Sequence, residues 1–238
     1  VFRLKRLVLF VIGVFFLTAC RSTPFGSHTI IDWVDFLKWD GKEYLGIYDG
    51  VLSDEKYIGE KVGTVKFKVA DNVNNPSYKT KDGDAAFHPK GTEIYSINGY
   101  PNLLAVKSSS DLNGYRVYYS NDDMEYQWHY KDMPSNEVTR IEFYHLYTDE
   151  GTQKIAEFNQ QEERQKLLQL LKDSQESPNF QPDTSQGDPL YYEMVFYTDR
   201  PIAYKYDLQF DGSTFFWHPW DTSILGDEIK TFIPDNPL

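Results

Sequence analysis

The chain has 238 residues, a formal net charge of −12, a single cysteine, 18 Tyr and 16 Phe. A lone thiol excludes an internal disulfide framework, the acidic balance argues against nucleic acid as a partner, and the aromatic content favours strands over disorder. The length suits one large domain or two small ones.

The first element is a segment that precedes the fold. Arg3, Lys5 and Arg6 lead into an apolar run over residues 7–17, interrupted only by Gly13, and small residues then lead to Cys20. A basic start, a short apolar stretch and small residues at its end mark a secretory signal. The eleven-residue run falls short of the roughly twenty needed to span a bilayer. The competing reading is a short buried helix or an uncleaved anchor, with Cys20 as a small apolar core residue.

Leu17-Thr18-Ala19-Cys20 resembles the lipobox of bacterial lipoproteins. The resemblance implies a signal peptide over 1–19, diacylglyceryl transfer to the Cys20 thiol, and cleavage between Ala19 and Cys20. The mature chain would then be lipid-anchored to the cell membrane on its extracytoplasmic side, with the membrane as its first partner. Loss of the three basic residues takes the net charge from −12 to −15. Attachment is then expected from acyl chains, at about 0.8 kcal/mol per buried methylene.

Residues 20–29 hold Ser, Thr, Pro and Gly without an apolar period and read as a tether. Residues 30–132 read as a β-rich subdomain, a small twisted sheet or partly open barrel. Val65, Phe67 and Val69 alternate with Thr64, Lys66 and Lys68, the period of a half-buried strand. Thr92–Ile97 is a further strand, Asn98-Gly99 signals a hairpin, and Leu103–Val106 is its return. Asn113-Gly114 then introduces a strand over Tyr115–Tyr119.

Met133-Pro134-Ser135-Asn136 reads as a subdomain boundary, with 133–238 as an α+β subdomain, although a loop inside one domain would look the same. Val138–Tyr147 is a strand with Ile141, Phe143 and Tyr147 on one face, and Gln153–Phe158 returns beside it. Asn159 followed by Glu162 has the spacing of a capping box, and Leu167, Leu168, Leu170 and Leu171 share one helix face. An amphipathic helix is expected over about 160–174, ended ahead of Ser177-Pro178. Leu190–Thr198 is a strand. Ile202, Tyr204, Tyr206, Leu208 and Phe210 then alternate with Ala203 and polar residues, the strongest strand pattern in the chain. Ser213–Trp217 follows, then a short terminal helix capped by Asp221 or Ser223. The fold class is therefore α+β, an antiparallel sheet covered by one helix in the C-terminal half.

A G-x-S-x-G nucleophile elbow, a phosphate loop and a zinc-protease motif are missing from the sequence. The five histidines, His28, His88, His129, His145 and His218, lie too far apart for a local zinc motif. No metal or cofactor is expected. Asp122, Asp123 and Glu125 form an acidic cluster, and Asp82 and Asp84 flank Gly83. Both read as turns before they read as sites.

Trp217, His218 and Trp220 form the candidate interaction surface, because Trp offers a large contact area at low entropic cost. The competing reading is that both indoles cap the core where the chain leaves the sheet. Segments 81–92 and 191–233 resemble stretches of uncharacterised lipoproteins from Gram-positive, Bacillus-like bacteria, a resemblance that implies location and no activity. The expected function is a non-enzymatic binding or interaction module at the cell envelope, with an envelope protein or cell-wall component as partner. The alternative is an envelope-associated hydrolase using dispersed carboxylates such as Asp122, Asp123 and Glu125. A solute-capturing lipoprotein that feeds a transporter ranks last, because its alternating α/β pattern is missing.

Overall fold

A computed structural model describes residues 31–233. The signal segment 1–19, the cleavage pair Ala19 and Cys20, and the tether 20–29 lie outside the described residues. Residues 32–73 and those from 78 onward form one compact unit. Ile31 and residues 74–77 fall to a second, within which the Ser77 N–H donates to Asn75 Oδ1 at 2.9 Å.

The first sheet is built from β1 (Phe36–Trp39), β2 (Lys42–Gly46), β4 (Ile58–Thr64), β5 (Phe67–Lys68), β6 (Asp84–Ala85), β7 (Glu93–Ile97), β8 (Leu103–Lys107) and β9 (Tyr115–Ser120); a short β3 (Gly50–Leu52) branches off between β2 and β4. The hydrogen-bonded order is β4-β7-β8-β9-β2-β1-β6-β5. Its two ends are consecutive in the chain, separated only by Val65 and Lys66. The Val65 N–H donates to Thr92 O at 2.9 Å, and Val65 O accepts from the Gly91 N–H at 2.8 Å. The sheet therefore curls back on itself around Leu37, Tyr44, Val65, Ile94, Leu104 and Tyr118. Strand β8 shows why its sequence reads as an unbroken apolar run. Leu104 and Val106 point into that cup, and Leu103 and Ala105 point out into the main core. A strand buried on both faces has no polar alternation.

The second sheet comprises β10 (Arg140–Thr148), β11 (Gly151–Phe158), β12 (Gln175–Glu176), β13 (Leu190–Tyr197), β14 (Ile202–Phe210), β15 (Phe215–Trp217) and β16 (Ser223–Ile224), in the order β11-β10-β13-β14-β15-β16-β12. Strand β3 also pairs with β14, placing Leu52 opposite Ile202. The alternation predicted for 202–210 is present: Ile202, Tyr204, Tyr206, Leu208 and Phe210 are all buried. The α-helix α1 (Gln161–Lys172) turns Leu167 and Leu171 into the core that these strands share with Ala105 and Val117 of the first sheet. The protein is thus α+β and β-rich, with an antiparallel second sheet that packs against α1.

Several local expectations are corrected. Tyr147 is 83% exposed instead of facing the core. The β10–β11 register shifts between His145 and Thr148, and Tyr147 takes φ 58°, so the alternation breaks there. Asn159 does not cap α1. The cap position is Gln160, without a side-chain hydrogen bond, and the Asn159 amide donates instead to Glu157 Oε1 at 2.6 Å. Asn98-Gly99 does sit in a hairpin, but the connection runs from Asn98 to Asn102, because Pro101 has no N–H to lend to a ladder. The terminal helix is a 3-10 helix over Asp227–Phe232 that starts at Gly226. Ser223, expected as its cap, instead pairs with Trp217 in the sheet.

Candidate functional site

The most developed polar site lies at the mouth of the first sheet. Residues two apart on a strand share a face, so Arg116 and Tyr118 of β9 project together toward Asp35, just ahead of β1. The Arg116 Nε–H donates to Asp35 Oδ2 at 3.0 Å, and the Tyr118 hydroxyl donates to Asp35 Oδ1 at 2.7 Å. Gly46 makes the room: a Cβ there would stand 2.4 Å from Asp35 Oδ2. The Arg116 guanidinium sits 4.9 Å above the Tyr48 ring and 3.7 Å from Asp111 Oδ1. His88 completes the chain, with Nε2 at 2.7 Å from the Tyr118 hydroxyl oxygen.

Electrostatics fix the protons. Burial first, then the charge of Asp35, push the Tyr118 phenol far above its ordinary 10.0, so it keeps its proton. Burial opposes the charge on Arg116, but Asp35 and Asp111 outweigh it and hold the guanidinium above its usual value. Burial depresses His88 below 6.5, against partial compensation from Asp35 and Asp111. The phenol has a single proton and gives it to the Asp35 carboxylate, so Nε2 of a neutral His88 must be the donor to the phenol oxygen. That leaves His88 Nδ1 as a lone-pair acceptor. It has no hydrogen-bond partner among the described residues, nor has Arg116 Nη2, and Arg116 Nη1 is ion-paired with Asp111 Oδ1 at 3.7 Å.

These groups border a cavity of about 460 Å³, a size that suits a small ligand, lined also by Phe87, Lys107, Ser108 and Ser110. Its polar wall carries the His88 imidazole, the Arg116 guanidinium, the Asp35 and Asp111 carboxylates and the hydroxyls of Thr92, Ser108, Ser109 and Ser110, and the Lys107 ammonium donates to the Tyr115 hydroxyl at 3.3 Å. The arrangement can hold a small acid and accept a hydrogen bond from it. Sequence reasoning treated His88 as an ordinary histidine and passed over Asp35, Arg116 and Tyr118. The one signal was Arg116, a charge inside an otherwise apolar strand pattern.

The candidate interaction residues are separated by the fold. Trp217 is fully buried and its indole N–H donates to Ser174 Oγ at 3.1 Å. Trp220 is 76% exposed, edge-on to His129 with ring centroids 5.5 Å apart. His218 Nδ1 lies 3.1 Å from Asp207 Oδ2. Tyr192 and Tyr197 on the neighbouring strand β13 are buried, and Tyr191 is half-buried. In the acidic cluster, Asp123 accepts from Lys42 at 2.7 Å and from Ser120 at 2.6 Å, and Asp122 accepts from the Glu43 N–H at 3.1 Å. Asp82 accepts from the Gly41 N–H at 2.8 Å, and Asp84 from Tyr78 at 2.7 Å. No group of residues suited to hold a metal ion occurs among the described residues.

His88 and His218 oppose each other in pH dependence. An unfolded imidazole takes its proton near 6.5. Burial delays that step in folded His88, so stability falls as pH drops through about 6.5 toward the depressed folded value, and His88→Gln should remove this acid loss. The hydrogen bond to Asp207 raises His218, so its contribution is complete below the unfolded value and fades as pH rises through the folded one. His218→Gln should therefore cost more stability at pH 5 than at pH 8. Urea unfolding at both values measures each difference. Equal losses at the two pH values for both variants would refute the assignment.

No protein-family model, curated protein or solved structure matches the chain.

Proposed function

We propose that the chain is a non-enzymatic binding module of the bacterial cell envelope, lipid-anchored through Cys20, whose cup-shaped sheet holds a small acid from its surroundings. The observation that carries the reading is that His88 and Arg116 line one cavity, with His88 Nδ1 and Arg116 Nη2 holding no hydrogen bond among the described residues. A ligand with a carboxylate for the guanidinium, and an N–H or O–H for the imidazole, would satisfy both. Arg forks favour planar carboxylates because two parallel hydrogen bonds can form. The alternative of a hydrolase using Asp122, Asp123 and Glu125 has no observation in its favour: Asp122 and Asp123 close a turn on β2, and none of the three lines this cavity.

The full lipidated chain, labelled with ¹⁵N-histidine in neutral detergent, should show a saturable shift of the His88 Nδ1 resonance with N-acetyl amino acids and a much weaker one with their amides. If neither series moves that resonance, the ligand reading fails. The anchor has a separate test. Cys20→Ser should abolish both lipid labelling and signal processing, and a labelled Cys20→Ser chain would rule out the lipid attachment.

A further inference from the structure

Resting on the small-acid reading of the cavity, we infer that its ligand bears an aromatic side chain and that Phe87 is the residue that selects it. Phe87 lines the cavity and is 47% exposed. It is the one exposed phenylalanine among the described residues. No other ring packs against it there, and it belongs to none of the buried apolar clusters. A single exposed apolar side chain is ordinary, but here several gather. Seven large apolar residues are exposed among the described residues, and three adjoin the polar site. Val34 precedes Asp35, Phe87 precedes His88, and the Tyr48 ring lies 4.9 Å from the Arg116 guanidinium. Exposed apolar surface concentrated around a cavity marks a place where an apolar group binds.

The backbone holds the Phe87 ring in place. The Ala86 N–H donates to Phe36 O at 2.9 Å, and Ala86 O accepts from the Ala70 N–H at 3.1 Å. Ala86 is fully buried in a cluster with Phe36 and Val69. On the other side, His88 is tied to the Tyr118 hydroxyl, and Pro89 steers His88 away from the helical region. Phe87 thus stands between two fixed residues, so little ordering entropy is lost when a ligand covers it.

Pro89 also lines the cavity, and the other lining residues are polar. The apolar wall is therefore local to Phe87-His88-Pro89, the segment that carries the imidazole. In an α-amino acid the side chain springs from the carbon between the N–H and the carboxylate. A ligand that gives its N–H to His88 and its carboxylate to Arg116 projects that side chain from between the two, next to the apolar wall. An aromatic group is favoured there, because a rigid ring packs edge or face against phenylalanine at small rotamer cost.

The test titrates the full lipidated chain, labelled with ¹⁵N-histidine in neutral detergent, with N-acetylglycine, N-acetylleucine and N-acetylphenylalanine. The His88 Nδ1 resonance is the readout. Affinity should rise in that order, with the phenylalanine derivative at least about ten-fold above the glycine one, given the apolar area covered. Phe87→Ala should weaken N-acetylphenylalanine several-fold more than N-acetylglycine, and Phe87→Leu should fall between. Silence with all three ligands would remove the small-acid reading and the selection by Phe87 together. Equal affinity for all three, or an equal loss of the glycine and phenylalanine derivatives in Phe87→Ala, would leave the small-acid reading in place and overturn the selection. A second copy of the chain and the bilayer are the other surfaces that could cover the ring. Self-association that Phe87→Ala abolishes, or a preference that vanishes when the chain is moved from detergent into neutral-lipid vesicles, would assign the ring to one of these and overturn the selection as well.

Discussion

Trp217→Ala should lower the unfolding free energy by about 3–5 kcal/mol, whereas Trp220→Ala should change it by no more than about 0.5 kcal/mol. Trp217 ends β15 with no exposed surface and meets the Tyr130 ring edge-on at 4.7 Å and that of Tyr206 at 6.3 Å. Truncation would open a cavity that sheet and helix can only partly refill, and would leave Ser174 Oγ without its indole donor. Trp220 touches the described fold through the edge of His129, and its removal leaves solvent where there was already solvent. Urea titrations of the two variants, with the denaturant slope m unchanged, would measure the contrast. Similar losses in both would mean that the chain leaves the sheet differently from the path described. Any partner lost in Trp220→Ala at unchanged stability would belong to the surface, and a partner lost in Trp217→Ala would say nothing about contact.

The same pair shows how far sequence reading reaches. Two indoles three residues apart look alike as composition. The ladder between β15 and β16 decides which is inward: it pairs Trp217 with Ser223 and leaves Trp220 on the connection between them. Patterns that depend on local period could be read directly. The alternation of 202–210 and the leucine face of α1 are such cases, because burial on one face leaves a period of two or 3.6 in the chain. Features that depend on a competing local bond could not. Asn159 has the spacing of a cap, yet Glu157 takes its amide, and the end of β10 reads as regular until a register shift turns Tyr147 outward. The polar site was the least accessible. Asp35 meets Arg116 and Tyr118 across 81 and 83 positions of sequence, and no local period records a contact of that range.

Asp35→Ala should cost about 3–5 kcal/mol, the usual consequence of removing one partner from a buried ion pair. The Asp35 side chain is 9% exposed and that of Arg116 14%, so water cannot fully replace the lost carboxylate. Arg116 would keep only Asp111, at 3.7 Å. Asp35→Asn keeps the volume and one acceptor oxygen and should cost less. Gly46→Ala offers an independent probe, since its Cβ would stand 2.4 Å from Oδ2 and 2.9 Å from Cγ of Asp35. It should cost about 1–3 kcal/mol in the native protein, the usual range for overpacking, and markedly less once Asp35 is Ala. A double-mutant cycle on unfolding free energies reads that coupling, and strict additivity would mean that Gly46 is not there to admit the carboxylate. The loss of Asp35 also changes the proton arrangement above it. Without a carboxylate to receive it, the Tyr118 proton is free to turn toward His88 Nε2, and the imidazole proton then moves to Nδ1. The acceptor facing the cavity becomes a donor. Histidine ¹⁵N shifts should therefore report the opposite tautomer in Asp35→Ala, and the variant should lose its response to N-acetyl amino acids even at temperatures where it remains folded.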